Sequence, residues 1–293
     1  MPLTYLVEHL NQRLQALHPD ALLAGGSHIV YRDQTVLANI NGLSVTPVQS
    51  RVFKVKPPAL IARESRLLIR NRAGEHLPQP LLYLQAWNSA DIIFLDRLLR
   101  TLHSLHHVNQ AADGLPQERL ILDVHPRHLA AVPSGHGLVF EGLLQRLGLS
   151  PEQIILRLTP PAVADQEGFE RAIENFTARG YHLMLELERP DRDWLLRGAR
   201  LGIGYLALDG ALEQNAEFSE CGRWNELARR LGVQTLLTDV AAAATLDAAI
   251  ALGFELVEGP ALMALASGDP VAARRVGRLV LHPHDRPPSQ WRL

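Results

Sequence analysis

After residue 118 the chain alternates between short apolar runs and helical stretches, and this rhythm restricts the fold more than any other feature. Strands read at 120–124, 153–159, 183–187, 203–208, 234–237 and 255–257. Helices read at 137–147, 166–179, 193–200, 224–231 and 244–252, with stops at Gly180, near Gly202, and at Gly232 and Gly253. Glycine ends a helix readily because it adopts the left-handed conformation that closes the last turn. Strict strand–helix alternation argues a parallel sheet with helices outside. Six such units follow residue 118, and the 66–106 stretch supplies a seventh. That count favours a closed (β/α)8 TIM-like barrel, an α/β fold, over an open doubly wound sheet. No glycine-rich GxGxxG loop follows a first strand, which weakens the open alternative further.

The N-terminal part reads differently. Leu6, Leu10, Leu14 and Leu17 recur at helical spacing over residues 5–17, Gly25-Gly26 stops that helix, and 28–40 reads as a hairpin around Asp33-Gln34. The expected organisation is an N-terminal helix-and-hairpin extension over 1–50, a barrel over 51–280 whose last helix covers 270–280, and a Pro-rich C-terminal tail over 281–293. A net charge of −2 gives no broad pull toward nucleic acid or anionic lipid. A single cysteine, Cys221, excludes an internal disulfide framework and a cysteine-based zinc site. No signal pattern and no apolar run near 18 residues is present, so a cytoplasmic location with no membrane association is expected.

Arg157 interrupts the apolar run Ile154-Ile155-Leu156-Arg157-Leu158, which otherwise reads as a buried central strand. A guanidinium there is costly unless carboxylates or an anion meet it. In barrels of this kind the chemistry lies at the carboxyl ends of the strands. Those positions are 66–70, 123–125, 157–159, 186–188, Asp209, Thr238-Asp239 and Glu258-Gly259, a set of mixed charge with arginines on two strands and acids on the others.

These segments resemble those of the EAL-domain cyclic-di-GMP phosphodiesterases of bacterial signalling. Leu67-Leu68-Ile69-Arg70 with Arg72-Ala73-Gly74 resembles the E-A-L-x-R signature and its turn, and Leu95-Asp96-Arg97 resembles the family's L-D-R helix. Asp123-Val124-His125-Pro126-Arg127 is similar to N-L-S-P-R, and Ile155 to Pro160 sits where E-I-T-E is expected. Leu183 to Leu187 falls on the strand ending in D-D-F-G, and Tyr205 to Asp209 on the K-I-D strand. Leu231 to Val240, running on to Gly253 and Val257-Glu258-Gly259, is similar to the stretch that carries A-E-G-V-E and a later Q-G. The likeness covers roughly residues 60–265, in the family's order.

The resemblance implies a site in which carboxylates and an Asn hold two divalent cations that activate water. At the corresponding positions this chain has Arg66 and Arg157 for two glutamates, Asp123 for the Asn, Glu186 and Leu187 for an Asp pair, and Ala207 for the Lys. Thr238 and Ala241 replace the A-E-G-V-E glutamates, and Glu258 replaces the Gln, while Arg70, Asp209 and Gly259 persist. A two-residue shift would instead place Glu64 at the signature glutamate. The expectation is therefore a degenerate, non-catalytic EAL-like protein without cofactor, acting through a protein partner, with a homodimer left open. In that reading Arg66 and Arg157 replace the metal ions and bridge Asp123, Glu186 or Asp209. The alternatives are a cyclic-di-GMP receptor in which Arg66, Arg70 and Arg157 meet phosphates, which Glu188 and Glu258 oppose, and a residual phosphodiesterase using Asp123, Glu186 and Asp209.

Thirteen histidines raise the question of a metal. His103 and His107 have the i, i+4 spacing of a zinc pair, but with no accompanying HExxH glutamate they read as a solvated helix face. His125 and His128 read as loop histidines, and Trp87 as a core residue or part of the loop before its helix. His282, His284 and Trp291 belong to the tail, and Ser134 and Ser219 lack a visible base for nucleophilic catalysis.

Overall fold

Helix α1 (Leu3–Leu17) forms on the spacing read above and buries Val7, Leu10 and Leu14. The computed structural model describes residues 3–111, 116–132, 134–161 and 166–262. The sequence reading of a helix over 270–280 and of the tail histidines and Trp291 lies outside the described residues. The fold is a closed, mixed eight-stranded barrel with outer helices, of the (β/α)8 TIM-like type. Two compact units make it up: Met1–Ser50 with Arg63–Leu185, and Arg51–Ala62 with Glu186 onward.

In the first unit α1 is followed by β1 (Ser27–Arg32), β2 (Thr35–Ile40), β3 (Leu43–Lys54) and β4 (Ala59–Arg70), the last two reaching into the second unit. Strands β1 to β3 are antiparallel neighbours. Asp33-Gln34 and Asn41-Gly42 turn the chain with positive φ at all four residues, as the two-residue turns that suit twisted strands require. Strand β1 ends the sheet. The Asn11 carboxamide of α1 covers its open side, accepting from Ile29 N and donating to Ile29 O, both at 2.8 Å.

Then follow β5 (His76–Leu77), α2 (Pro80–Tyr83), α3 (Ser89–Asn109), β6 (Arg119–Asp123), α4 (Pro126–Ala131), α5 (Leu138–Arg146), β7 (Ile154–Leu158), α6 (Gln166–Ala178) and β8 (His182–Leu187). Strands β6, β7 and β8 are parallel. Helix α3 is capped by the Asn88 side chain on Asp91 N and is buried around most of its circumference. His103 and His107 are therefore core residues, not a solvated face as the sequence suggested. Burial pushes both down to about 4, with His107 bonded to the Glu118 carbonyl.

The second unit carries α7 (Arg192–Arg200), β9 (Tyr205–Asp209), α8 (Cys221–Arg230), β10 (Gln234–Thr238), α9 (Ala243–Ala251) and β11 (Leu256–Glu258). Strands β9, β10 and β11 are parallel, while β11 runs antiparallel to the end of β3, pairing Leu256 with Lys54 and Glu258 with Val52. The all-parallel sheet expected from the alternation is corrected at this point. A hairpin strand, which carries no helix behind it, supplies one stave of the barrel.

Candidate functional site

The register of β6 against β7 pairs Asp123 with Arg157. Arg157 Nε donates to Asp123 Oδ1 at 2.6 Å, and its Nη1 donates to Glu64 Oε1 at 2.8 Å. Glu64 lies within β4 with its side chain only 2% exposed, and Arg66, two residues on and on the same face, brings Nη2 to 3.4 Å from the same oxygen. The Arg157 side chain is itself 10% exposed. A planar guanidinium can bridge two carboxylates in this way, and the pairing is what makes its burial tolerable.

The structure settles which residue of β4 meets Arg157: it is Glu64. Glu64 also draws in Arg66, so one carboxylate of β4 serves both guanidinium groups. Arg70 is set apart, roughly 20 Å farther along the strand at the usual rise per residue. It is exposed and donates to the Gly74 carbonyl of its own turn at 3.2 Å.

A second buried network adjoins the first. Asp96, on α3, accepts from His125 N at 2.9 Å, pairs with Arg100 one turn on, and lies 3.3 Å from His128 Nδ1. Burial alone would raise the Asp96 carboxyl, but the Arg100 charge, His128 and the His125 N–H together hold it below the usual range. Burial pushes His128 down to about 3, against the pull of Asp96. The Arg100 guanidinium also lies 4.8 Å from the Phe140 ring centroid. Tyr83 stacks on His125 at 3.9 Å, and its hydroxyl is kept protonated by burial and by the charges of Asp96 and Asp123. Tyr83, Arg100 and His128 went unnoticed as part of this network in the sequence. The usable signal was the i, i+4 spacing of Asp96 and Arg100 on one helix face.

In the second unit the strand-end residues secure their own loops. Asp209 Oδ1 accepts from Ala211 N at 2.7 Å, capping the short turn of Gly210–Gln214. Thr238 donates to Leu208 O at 3.3 Å. Glu258 is buried, and its Oε2 accepts from Asp239 N at 3.0 Å, which fixes Asp239 at a φ of 52°. Gly259 has φ 147°, and a Cβ there would stand 2.2 Å from Val240 N. Glu186 is exposed near the end of β8. Asp209, Thr238 and Glu258, read as members of a charged site, thus have contacts that hold backbone.

No family model matches the sequence, and no curated protein matches it. Solved structures do match. The chain is similar to a standalone versatile EAL protein from Vibrio cholerae O395, in its c-di-GMP-bound form, at 18% identity and a TM-score of 0.58, over 73% of this chain and 89% of that one. It is similar to the FimX EAL domain from Pseudomonas aeruginosa bound to c-di-GMP, at 13% identity and a TM-score of 0.62, over 87% and 93%. The Bacillus subtilis YkuI protein, with an EAL domain and in complex with c-di-GMP and calcium, matches at 19% identity and a TM-score of 0.59, over 73% of this chain and 54% of that longer one. At these identities the likeness shows the fold: that of EAL domains.

Proposed function

We propose that this chain is a degenerate EAL-type protein of bacterial signalling that works by binding a protein partner, without hydrolysing a phosphodiester. The observation that carries the reading is Arg157. It stands where the resemblance calls for a metal-binding glutamate, and its guanidinium is bonded to Glu64 and Asp123, the carboxylates best placed to serve divalent cations.

Two divalent cations do not fit these residues. A hard cation needs several oxygen ligands free to close around it, and here a fixed positive charge already engages both carboxylates, with Arg66 beside them. Hydrolysis of cyclic-di-GMP, assayed with magnesium and with manganese, should be undetectable. Turnover that disappears when Asp123 is replaced by Ala would sink this reading in favour of a residual phosphodiesterase.

A second reading is cyclic-di-GMP binding without turnover, since the structural neighbours from Vibrio cholerae and Pseudomonas aeruginosa are described with that nucleotide bound. Arg66 supports it as a partly exposed guanidinium beside Glu64, of the chemistry that meets a phosphate. Calorimetry with cyclic-di-GMP, with and without calcium, separates the two readings: heat that is lost in Arg66→Ala favours the receptor.

A further inference from the structure

The apolar residues of α1 are not all used in packing. Val7, Leu10 and Leu14 are buried, whereas Leu17, at the end of the helix, is half-buried and borders a groove shared with α5. The groove has a volume of about 490 Å³, within the range of small-molecule sites, and both helices belong to the first compact unit. Arg13 and Leu17 line it from α1, and Leu138, Val139, Leu143 and Arg146 line it from α5.

This lining is polarised along its length. Arg146 Nη1 donates to His9 Nε2 at 2.8 Å, which brings the last turn of α5 against α1. Arg13 lies one helical turn from His9, so two guanidinium groups gather near this contact. Leu17 and Leu138 each lie roughly 12 Å from it along their own helices, at the usual rise per residue. One end of the groove is thus cationic and the other aliphatic. Neither guanidinium has a carboxylate partner among the described residues, and none of the described lining residues is acidic.

Gly142 adds an independent sign of a ligand. It stands in the middle of α5, where glycine weakens a helix relative to alanine. Packing does not require it, because a Cβ at this position would meet nothing within 4 Å. Its bare backbone borders the groove one turn from Arg146 and one turn from Leu138, between the cationic and aliphatic ends. A glycine that the protein's own packing does not use leaves room for another molecule to lie against the helix.

These features select an amphiphile with an anionic head. A carboxylate suits the forked donors of the two guanidinium groups, and an alkyl chain suits the path over Gly142 to Val139, Leu17 and Leu138. A small inorganic anion would leave the aliphatic end unused, and an uncharged chain would leave both arginines unmet. We infer that the groove between α1 and α5 binds an aliphatic carboxylate, its head at Arg13 and Arg146 and its chain along Gly142 toward Leu138. This goes beyond the functional reading above and does not depend on it.

Isothermal calorimetry of the whole chain with decanoate, kept below its micellar range, tests it. One saturable site is expected, with a Kd on the order of 10–100 µM for a small ligand in an open groove. Combining Arg13→Ala with Arg146→Ala should weaken it by about tenfold or more, as the loss of charged hydrogen bonds implies. Gly142→Leu, which fills the groove, should weaken it as much while leaving the thermal midpoint no lower, since leucine favours a helix and has open space there. Acetate and decanol should each bind more weakly than decanoate. No saturable heat up to about 1 mM decanoate overturns the inference. So does binding unchanged by Gly142→Leu or by the arginine pair, or decanol bound as tightly as decanoate. A chain that ignores decanoate but pellets with anionic phospholipid vesicles, or dimerises in sedimentation velocity, and loses that behaviour in Gly142→Leu, overturns it in favour of a membrane surface or a second copy.

Discussion

Arg157 and Asp123 face each other across two adjacent parallel strands, paired in register and joined by a 2.6 Å hydrogen bond from Nε to Oδ1. Glu64 completes the arrangement from β4. The three side chains form one electrostatic unit inside the first of the two compact units, so its integrity can be tested without reference to any ligand.

Replacing Arg157 by Leu removes the cation and leaves the Glu64 carboxylate buried. The expected loss is about 3 kcal/mol, the lower end for breaking a buried pair, because Asp123 remains 39% exposed. Urea denaturation measures it. An unchanged midpoint would falsify the structural role assigned to Arg157.

Acid should destabilise the fold well before its carboxylates titrate. His103, His106 and His107 are each pushed down to about 4 and His128 to about 3, with burial as the largest cause, whereas an unfolded imidazole titrates near 6.5. The unfolded chain therefore binds more protons between these values, and stability falls as pH drops from about 6.5 toward 4. Asp96 acts lower down: its depressed carboxyl contributes stability that is present above about 4 and lost below it. Denaturation midpoints at pH 7 and pH 4.5 should differ clearly, and equal midpoints would contradict the neutral, buried histidines described above.

Gly259→Ala is expected to cost at least about 2 kcal/mol, since φ 147° is nearly closed to other residues and the new Cβ would collide with the Val240 backbone. Gly232→Ala is the control. It too has a positive φ, 73°, but nothing lies within 4 Å of its Cβ position, so its loss should be the smaller of the two in the same denaturation experiment.

The only cysteine should be inert in the folded protein. Cys221 is fully buried, and burial pushes its thiol up to about 11, so the reactive thiolate is scarce. At pH 8 a thiol reagent such as dithionitrobenzoate should label it only after denaturant is added. Rapid labelling without denaturant would mean that α8 opens readily.

The barrel was legible because period and punctuation agree: apolar runs of strand length alternate with helices that stop at Gly180, Gly202, Gly232 and Gly253, all four at positive φ. The strand register at the site was not. Glu64 and Arg66 are two apart, so both face the same way and alternation cannot choose between them. The histidines of α3 misled because a helix buried on most sides has no polar stripe to reveal its orientation. Arg157 itself was readable as an anomaly, yet its partner Glu64 lies 93 residues away, a distance no local pattern spans. Trp87 was left between the core and the loop before its helix because apolar character predicts burial only as a tendency; it lies in that loop, exposed.

Asn11 has a role out of proportion to its size. Its carboxamide takes both main-chain groups of Ile29, as a neighbouring strand would, on the open flank of β1. A shortened chain beginning after α1 would carry an unguarded strand ready to recruit its like, and would be expected to accumulate in inclusion bodies. The first helix thus behaves as a stopper for the sheet, and cloning boundaries that look harmless in a sequence would uncork it.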